Sequence, residues 1–250
     1  MKKVITLLSF ILFMTTSFSQ NKDSKYYELR IYYCMPGRLD ALIERFSNHT
    51  TRIFEKHGMV NVGYWLPVHN DSLNALFYIL SYPNKVARDS SWKNFLNDPE
   101  WKTVQAKSEE SGKIVAKVVS IFLKATDYSP LIQPSLANPE RVFELRTYYC
   151  LPQKLNNLND RFKNFTIKSF EKHGMTNIAY WNTVEKADTT QSKLVYILAH
   201  KSEEAAKKSF DSFRSDPEKI KVFDASEANG KIVEKVESVF LKPLAFSKIK

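Results

Sequence analysis

Residues 26 to 34 alternate in character. Leu29, Ile31 and Tyr33 fall on one parity, and Glu28, Arg30, Tyr32 and Cys34 on the other, the period-2 signature of a strand with two unlike faces. Met35-Pro36-Gly37 ends the pattern. Leu39, Leu42, Ile43, Phe46, Ile53 and Phe54 then recur near helical spacing as far as Gly58, a residue placed to close a helix. Val60 to Leu66 and Leu76 to Tyr82 predict a hairpin around the polar turn His69-Asn70-Asp71-Ser72. Asn84 suits the cap of a second helix, and Asp98-Pro99 restarts that helix with proline at its first position. Lys117 to Leu123 supplies a fourth strand. The resulting order, βαββαβ, is the ferredoxin-like arrangement.

The whole pattern occurs twice. Tyr27-Glu28-Leu29-Arg30-Ile31-Tyr32-Tyr33-Cys34 returns 116 positions later as Phe143-Glu144-Leu145-Arg146-Thr147-Tyr148-Tyr149-Cys150, and Glu55-Lys56-His57-Gly58-Met59 returns as Glu171-Lys172-His173-Gly174-Met175. After Trp181 the register slips by two, so that Asp98-Pro99-Glu100 matches Asp216-Pro217-Glu218 and Ser120 to Lys124 matches Ser238 to Lys242. The extra residues fall in the turn after Trp181. These matches define a first repeat at 24–124, a second at 141–244, and between them a stretch at 125–140 whose Pro130, Pro134 and Pro139 read as an extended linker. The copies also differ. Trp92 becomes Phe210, Trp101 becomes Lys219, and Pro36-Gly37 becomes Pro152-Gln153, so they need not be functionally equivalent.

A ferredoxin-like sheet carries helices on one face and leaves the other open. The set Leu29, Ile31 and Tyr33 suits the helix-covered side. The set Glu28, Arg30, Tyr32 and Cys34 then falls on the open side, where a second sheet packed face to face would enclose a partly polar cavity. The fold class expected is therefore α+β, two tandem ferredoxin-like repeats packed sheet to sheet as an α/β-barrel within one chain.

The first residues follow a different rule. Lys2 and Lys3 precede an apolar run from Val4 to Met14, and Ser17-Phe18-Ser19 follows, which is the order of a secretory leader over 1–19. The apolar run is short for a bilayer span, which needs roughly 20 residues. The expectation is an exported chain beginning at Gln20, periplasmic or extracellular, with no transmembrane anchor. The formal charge of +10 is spread as scattered lysines, a solvated cationic surface with no basic stripe for nucleic acid. Cys34 and Cys150 would meet an oxidising environment, and a disulfide between them is an open alternative to two free thiols.

The opening Tyr27-Glu28-Leu29-Arg30-Ile31-Tyr32, the Lys56-His57-Gly58 and Gly63-Tyr64-Trp65 segments, Asn97-Asp98-Pro99-Glu100-Trp101 and the closing Ser120-Ile121-Phe122-Leu123 together resemble the NIPSNAP family. The resemblance covers nearly all of the chain beyond the leader and implies the dimeric α/β-barrel superfamily. That superfamily spans cofactor-free monooxygenases and haem-binding or haem-degrading enzymes, while the NIPSNAP branch implies no settled reaction, so fold analogy cannot stand in for a site.

Candidate chemistry comes from the residues themselves. Glu28 with Arg30, and Glu144 with Arg146, point the same way along their strands. They read either as groups aimed at a ligand carboxylate or as a buried ion-pair network crossing the pseudo-twofold axis. Tyr32, Tyr148, Trp65 and Trp181 could stack on a flat ligand or simply form core. His57 and His173 precede the helix-closing glycines, where imidazolium suits a helix C-terminus; a catalytic or ligating role is the secondary reading. Neither histidine has metal-ligand spacing, and no cofactor is specified. Asn48-His49-Thr50 and Asn164-Phe165-Thr166 match the glycosylation sequon but lie within predicted helices. The functional expectation is a small-molecule binding module with its cavity between the repeats. A scaffold with a packed barrel and a cofactor-free oxygenase are the alternatives, and homo-oligomerisation is left open. Mass spectrometry of the protein from its native host should show Gln20 as the first residue; an intact Met1 would refute export through this leader.

Overall fold

The computed structural model describes residues 23–70, 73–137, 139–184 and 191–250. The leader, Asp71 and Ser72 of the first hairpin turn, and residues 185–190 of the second lie outside them. Each repeat contributes four strands: β1 (Tyr26–Cys34), β2 (Val60–Pro67), β3 (Ala75–Tyr82) and β4 (Val115–Ala125), then β5 (Val142–Cys150), β6 (Thr176–Thr183), β7 (Lys193–His200) and β8 (Val233–Pro243). All eight join one closed barrel in the order β1-β3-β2-β8-β5-β7-β6-β4.

Closure depends on an exchange. The last strand of each repeat pairs along its length with the first strand of its own repeat, and its end crosses to the second strand of the other. Leu123, Lys124 and Ala125 of β4 pair with Thr183, Asn182 and Trp181 of β6. Leu241, Lys242 and Pro243 of β8 pair with Pro67, Leu66 and Trp65 of β2. Both seams continue past the strands, since Tyr180 N donates to Ser129 Oγ at 2.9 Å and Tyr64 N donates to Ser247 Oγ at 3.0 Å. The segment that follows β4 is thus fastened to the second repeat from its start.

Helices cover the outside. In repeat 1, α1 (Leu39–Arg45) and α2 (Thr51–Lys56) are joined through a π-helical turn at Phe46–Thr50, and α3 (Lys85–Asn97) is followed by α4 (Pro99–Ser108). Repeat 2 matches with α5 (Leu155–Arg161), a π-turn at Phe162–Thr166, α6 (Ile167–Lys172), α7 (Glu203–Ser215) and α8 (Pro217–Ser226). The caps are those the sequence suggests: Asn84 accepts from Ala87 N and Asp98 from Glu100 N, with Pro99 at the first helical position. Gly58 closes α2 with φ of 76°. The sequon threonines have a structural use, because Thr50 Oγ1 donates to Arg45 O and Thr166 Oγ1 to Arg161 O across the π-turns.

The two faces of β1 are the reverse of the sequence expectation. Leu29, with Ile31 and Tyr33 beside it, lines the barrel lumen together with Trp65, Phe77, Phe143, Leu145, Trp181 and Leu241 from both repeats. Glu28, Arg30, Tyr32 and Cys34 lie on the outer wall beneath the helices of their own repeat, as do Glu144, Arg146, Tyr148 and Cys150. Both faces are buried and both carry aromatic residues, so alternation separates the two sets without saying which points inward. Charge decides it. The lumen cluster carries no cationic side chain, and its buried Trp65 and Trp181 indole N–H groups have no partner among the described residues, whereas on the outer wall Arg30 and Arg88 reach Glu28 and Arg146 reaches Glu144.

Gly63 shows how full the lumen is. A Cβ there would lie 2.1 Å from the Trp65 indole, which rests across the strand at a bulge between Asn61 and Gly63. Ala179 holds the matching place in β6, so Trp181 cannot lie as close to its strand. Gly63→Ala is expected to destabilise the protein by about 1–3 kcal/mol through overpacking, checked by urea denaturation; an unchanged midpoint would mean that the indole moves freely.

Candidate ligand-binding site

On the outer wall of repeat 1, Glu28 is completely buried and accepts from four side chains. Arg30 Nη1 lies 2.5 Å from Oε1, Arg88 grips both oxygens through Nη2 at 2.8 Å and Nε at 2.9 Å, and Trp92 Nε1 and Tyr82 OH reach Oε2 at 3.1 and 3.2 Å. Burial works against the charged carboxylate, yet Arg88 and Arg30 outweigh it and hold Glu28 below the usual carboxylate range. Arg30 is itself organised. Its Nε donates to Tyr78 OH at 2.9 Å, Nη1 to Ser120 Oγ at 2.8 Å and Nη2 to Tyr32 OH at 3.2 Å, while its guanidinium lies 4.2 Å from the Trp92 ring centroid.

This network forms one wall of a cleft between the sheet and the helices of repeat 1, with a volume of about 550 Å³, within the range of small-molecule pockets. The lining carries five basic residues, Arg30, Arg45, Arg88, Lys113 and Lys117, against the single acid Glu109. Rings complete it, among them Tyr32, Phe46, Trp92 and Trp101. The π-turn enters here directly, since Phe46 and Thr50 both face the cleft; such turns widen a helix and recur at functional positions. Leu96 and Val118 leave exposed apolar surface in the lining.

Repeat 2 has the same frame with different contents. Glu144 keeps Arg146 at 2.5 Å, but Arg88 is replaced by Ala206, and Ser238 Oγ at 2.5 Å and His200 Nε2 at 3.2 Å take over the remaining contacts. The cavity beside Glu144 and Arg146 is lined by three acids, Glu144, Glu203 and Glu204, and three bases, Arg146, Lys207 and Arg214. The cationic excess belongs to repeat 1.

Of the residues singled out from sequence, Arg30 and Tyr32 meet in one cleft, with Glu28 as the buried anchor behind them. Arg146 and Glu144 face a separate cavity, and Tyr148 packs on Phe162 and Tyr196 beneath the helices. Trp65 and Trp181 are on the other side of the barrel wall, in the lumen, and share no site with the tyrosines. The expected inter-repeat cavity is corrected accordingly, because apolar side chains occupy that space. The Glu–Arg pairs stay within their own repeats and do not cross the pseudo-twofold axis. Cys34 and Cys150 are both free, and burial pushes each thiol up to about 11 against the pull of Arg45 and Arg161, leaving them protonated and unreactive.

His57 and His173 do more than face a helix end. His57 Nε2 meets Asp98 Oδ2 at 2.6 Å and His173 Nε2 meets Asp216 Oδ2 at 2.9 Å, tying each helix end to the cap of α4 or α8. Lys56 and Lys172 join the same carboxylates and hold both aspartates well below the usual range, with the histidine contacts adding to the effect. Among the described residues no group of three or more His, Cys, Asp or Glu could hold a metal ion, and no helix is long and apolar enough to cross a membrane. Sequence reasoning missed Arg88 and Arg45. The signal for Arg88 lies in the repeat alignment, where Ala206 takes its place.

The family model that matches this sequence is NIPSNAP, over residues 27–130 and 143–248. Protein NipSnap homolog 3A of Homo sapiens is 24% identical over 233 residues, covering 91% of this chain and 87% of the relative. Among solved structures, an anthrone oxidase-like protein superposes with a TM-score of 0.57 at 10% identity, over 91% of this chain and 95% of its own. A putative monooxygenase from Lactobacillus acidophilus gives 0.52 at 12% identity, over 88% and 94%. At such identities these two structures establish the shared fold and nothing about chemistry.

The buried carboxylate sets a testable dependence on acid. Because Glu28 is held below its unfolded value, the stability it confers is present above the ordinary carboxylate range and is lost as pH falls through the folded value. Glu28→Gln is expected to cost about 3 kcal/mol or more, leaving two arginines without their partner, and to flatten the acid limb of stability measured by urea denaturation against pH. A loss well below 1 kcal/mol would show that the two arginines do not depend on it.

Proposed function

The chain belongs to the NIPSNAP family, and we propose that it is a binding module for a small anionic molecule with an apolar body, held in the sheet–helix cleft of repeat 1. The observation that carries this reading is the cleft's composition: five cationic side chains against one acid around ring-lined walls in a volume of about 550 Å³. Arg88 is the distinctive element. It adds a second guanidinium to a carboxylate that Arg30 already pairs and also meets the half-exposed Asp89 through Nη1 at 3.2 Å; repeat 2, with Ala206, has no second guanidinium. Lys113 and Lys117 extend that charge along the cleft, where a ligand carboxylate or sulfonate would gain charge-assisted hydrogen bonds. In the same proposal the mature protein works outside the cytoplasm, as the Lys2-Lys3 and Val4 to Met14 pattern suggests. A reaction on the bound molecule is not part of the reading.

Removing either arginine takes a partner from the buried Glu28, and Arg88 supplies two of its bonds against one from Arg30. Arg88→Ala is therefore read beside Arg88→Ala with Tyr82→His, which reproduces the alanine and histidine that accompany Glu144 in repeat 2. Calorimetric titration with naphthalene-2-sulfonate and 1-octanesulfonate should give one site per chain for the tighter anion, with affinity falling as salt rises. Arg88→Ala should weaken it about tenfold, in line with roughly 1.5 kcal/mol for a hydrogen bond to a charged group, while Lys207→Ala in repeat 2 leaves it unchanged. Equal binding by wild type and Arg88→Ala, or no binding of either sulfonate, would remove the proposal.

A further inference from the structure

The Arg30 guanidinium fixes the direction of a hydroxyl. Its Nε donates to Tyr78 OH at 2.9 Å and its Nη2 to Tyr32 OH at 3.2 Å. Tyr78 is completely buried, so its own proton needs an acceptor inside the protein, and the neighbouring Tyr32 hydroxyl oxygen provides one. Burial keeps that proton in place, pushing the Tyr78 phenol well above its usual range. The Tyr32 oxygen therefore accepts from two sides and keeps its own proton for a third. No group among the described residues accepts that proton. Tyr32 is half-buried and lines the cleft, so its O–H is a donor presented to that space.

Arg30 adds a second donor beside it. Nη1 is engaged by Glu28 Oε1 at 2.5 Å and Ser120 Oγ at 2.8 Å, whereas Nη2 carries two hydrogens and has the single partner Tyr32. Nη2 and the Tyr32 hydroxyl are 3.2 Å apart, close enough for two oxygens of one carboxylate or sulfonate to take a bond from each. Packing holds the pair still. The Tyr32 ring lies edge-on to Phe46 at 5.9 Å and to Tyr78 at 5.2 Å, and the guanidinium rests over Trp92 at 4.2 Å.

Repeat 2 has the same tyrosine without the same arrangement. Arg146 Nε still donates to Tyr196 OH at 3.0 Å, but Ser238 gives its proton to Glu144 where Ser120 receives one from Arg30. Arg146 Nη2 makes no hydrogen bond among the described residues, and Tyr148 does not line the cavity beside it. We infer that Tyr32 is a specificity-determining residue of the repeat 1 cleft, donating its hydroxyl proton to one oxygen of the ligand's carboxylate or sulfonate while Arg30 Nη2 holds another. This rests on the reading that the cleft binds an anionic molecule, and it assigns the atoms that meet the head group. An anion that accepts at a single point gains from one donor only.

Calorimetric titration of the mature chain with the tighter of naphthalene-2-sulfonate and 1-octanesulfonate provides the test. Tyr32→Phe keeps the ring and removes the donor, and should weaken binding about tenfold, as expected for a hydrogen bond to a charged group. Tyr148→Phe is the matching change in repeat 2 and should leave affinity unchanged. Both variants take an acceptor from a buried tyrosine, so their structural costs are alike and only the first removes a donor from the cleft. A measurement on wild type guards against a variant that folds poorly: with tyrosines isotopically labelled at Cζ, the magnetic resonance signal of Tyr32 should shift on adding the sulfonate while that of Tyr148 stays in place. Equal affinity of wild type and Tyr32→Phe, or a Tyr32 signal indifferent to the ligand, overturns the role of Tyr32 while Arg88→Ala still reports on the anion cleft. Failure of wild type to bind either sulfonate overturns both.

Discussion

The structure depends on closure of the sheet across two short seams, each three residue pairs long, where β4 meets β6 and β8 meets β2. Once the strands form a ring, the inward face has no access to water and must be apolar in both repeats. Glu28, Arg30, Glu144 and Arg146 are then placed on the outer side of the wall, where each carboxylate meets compensating groups. The position of the cleft follows: a carboxylate on β1 calls for cations from α3, and the cations leave an excess beside the gap between helices and sheet.

Hydrogen-bonded ionic groups are costly to bury, and the two repeats resolve the same problem differently. Glu28 is neutralised by two arginines and braced by an indole and a phenol, and the second of those arginines also meets Asp89 at the rim. Glu144 is matched by one arginine, a serine and a histidine. The outer walls diverge with them, one open and cationic and the other balanced in sign. The aromatic ladders beneath remain alike, with Tyr64 on Tyr78 in one copy and Tyr180 on Tyr196 in the other, so the frame is preserved while the contents vary.

Much of this was legible in the sequence. The duplicated segments, the Asn84 and Asp98 caps and the Gly58 stop determine the elements through local rules that need no tertiary information. The facing of β1 was not legible, because a period of two assigns residues to sides without orienting the sides, and both sides of this strand are buried. Trp65 and Trp181 therefore resembled partners of Tyr32 and Tyr148 while lying across the wall from them. The cleft itself could be glimpsed in Trp92 and Trp101, where the copies disagree. Arg88 and Arg45 carry no motif of their own, since what distinguishes them is the carboxylate or ring each meets after folding.

Joining two copies of the fold in one polypeptide also separates their histories. In an assembly of two identical subunits any substitution strikes both halves of the ring, so a change that refines one pocket is imposed on the other. Here the closing strands are shared, yet position 88 can hold arginine while 206 holds alanine. One half is free to specialise because its twin keeps the ring shut.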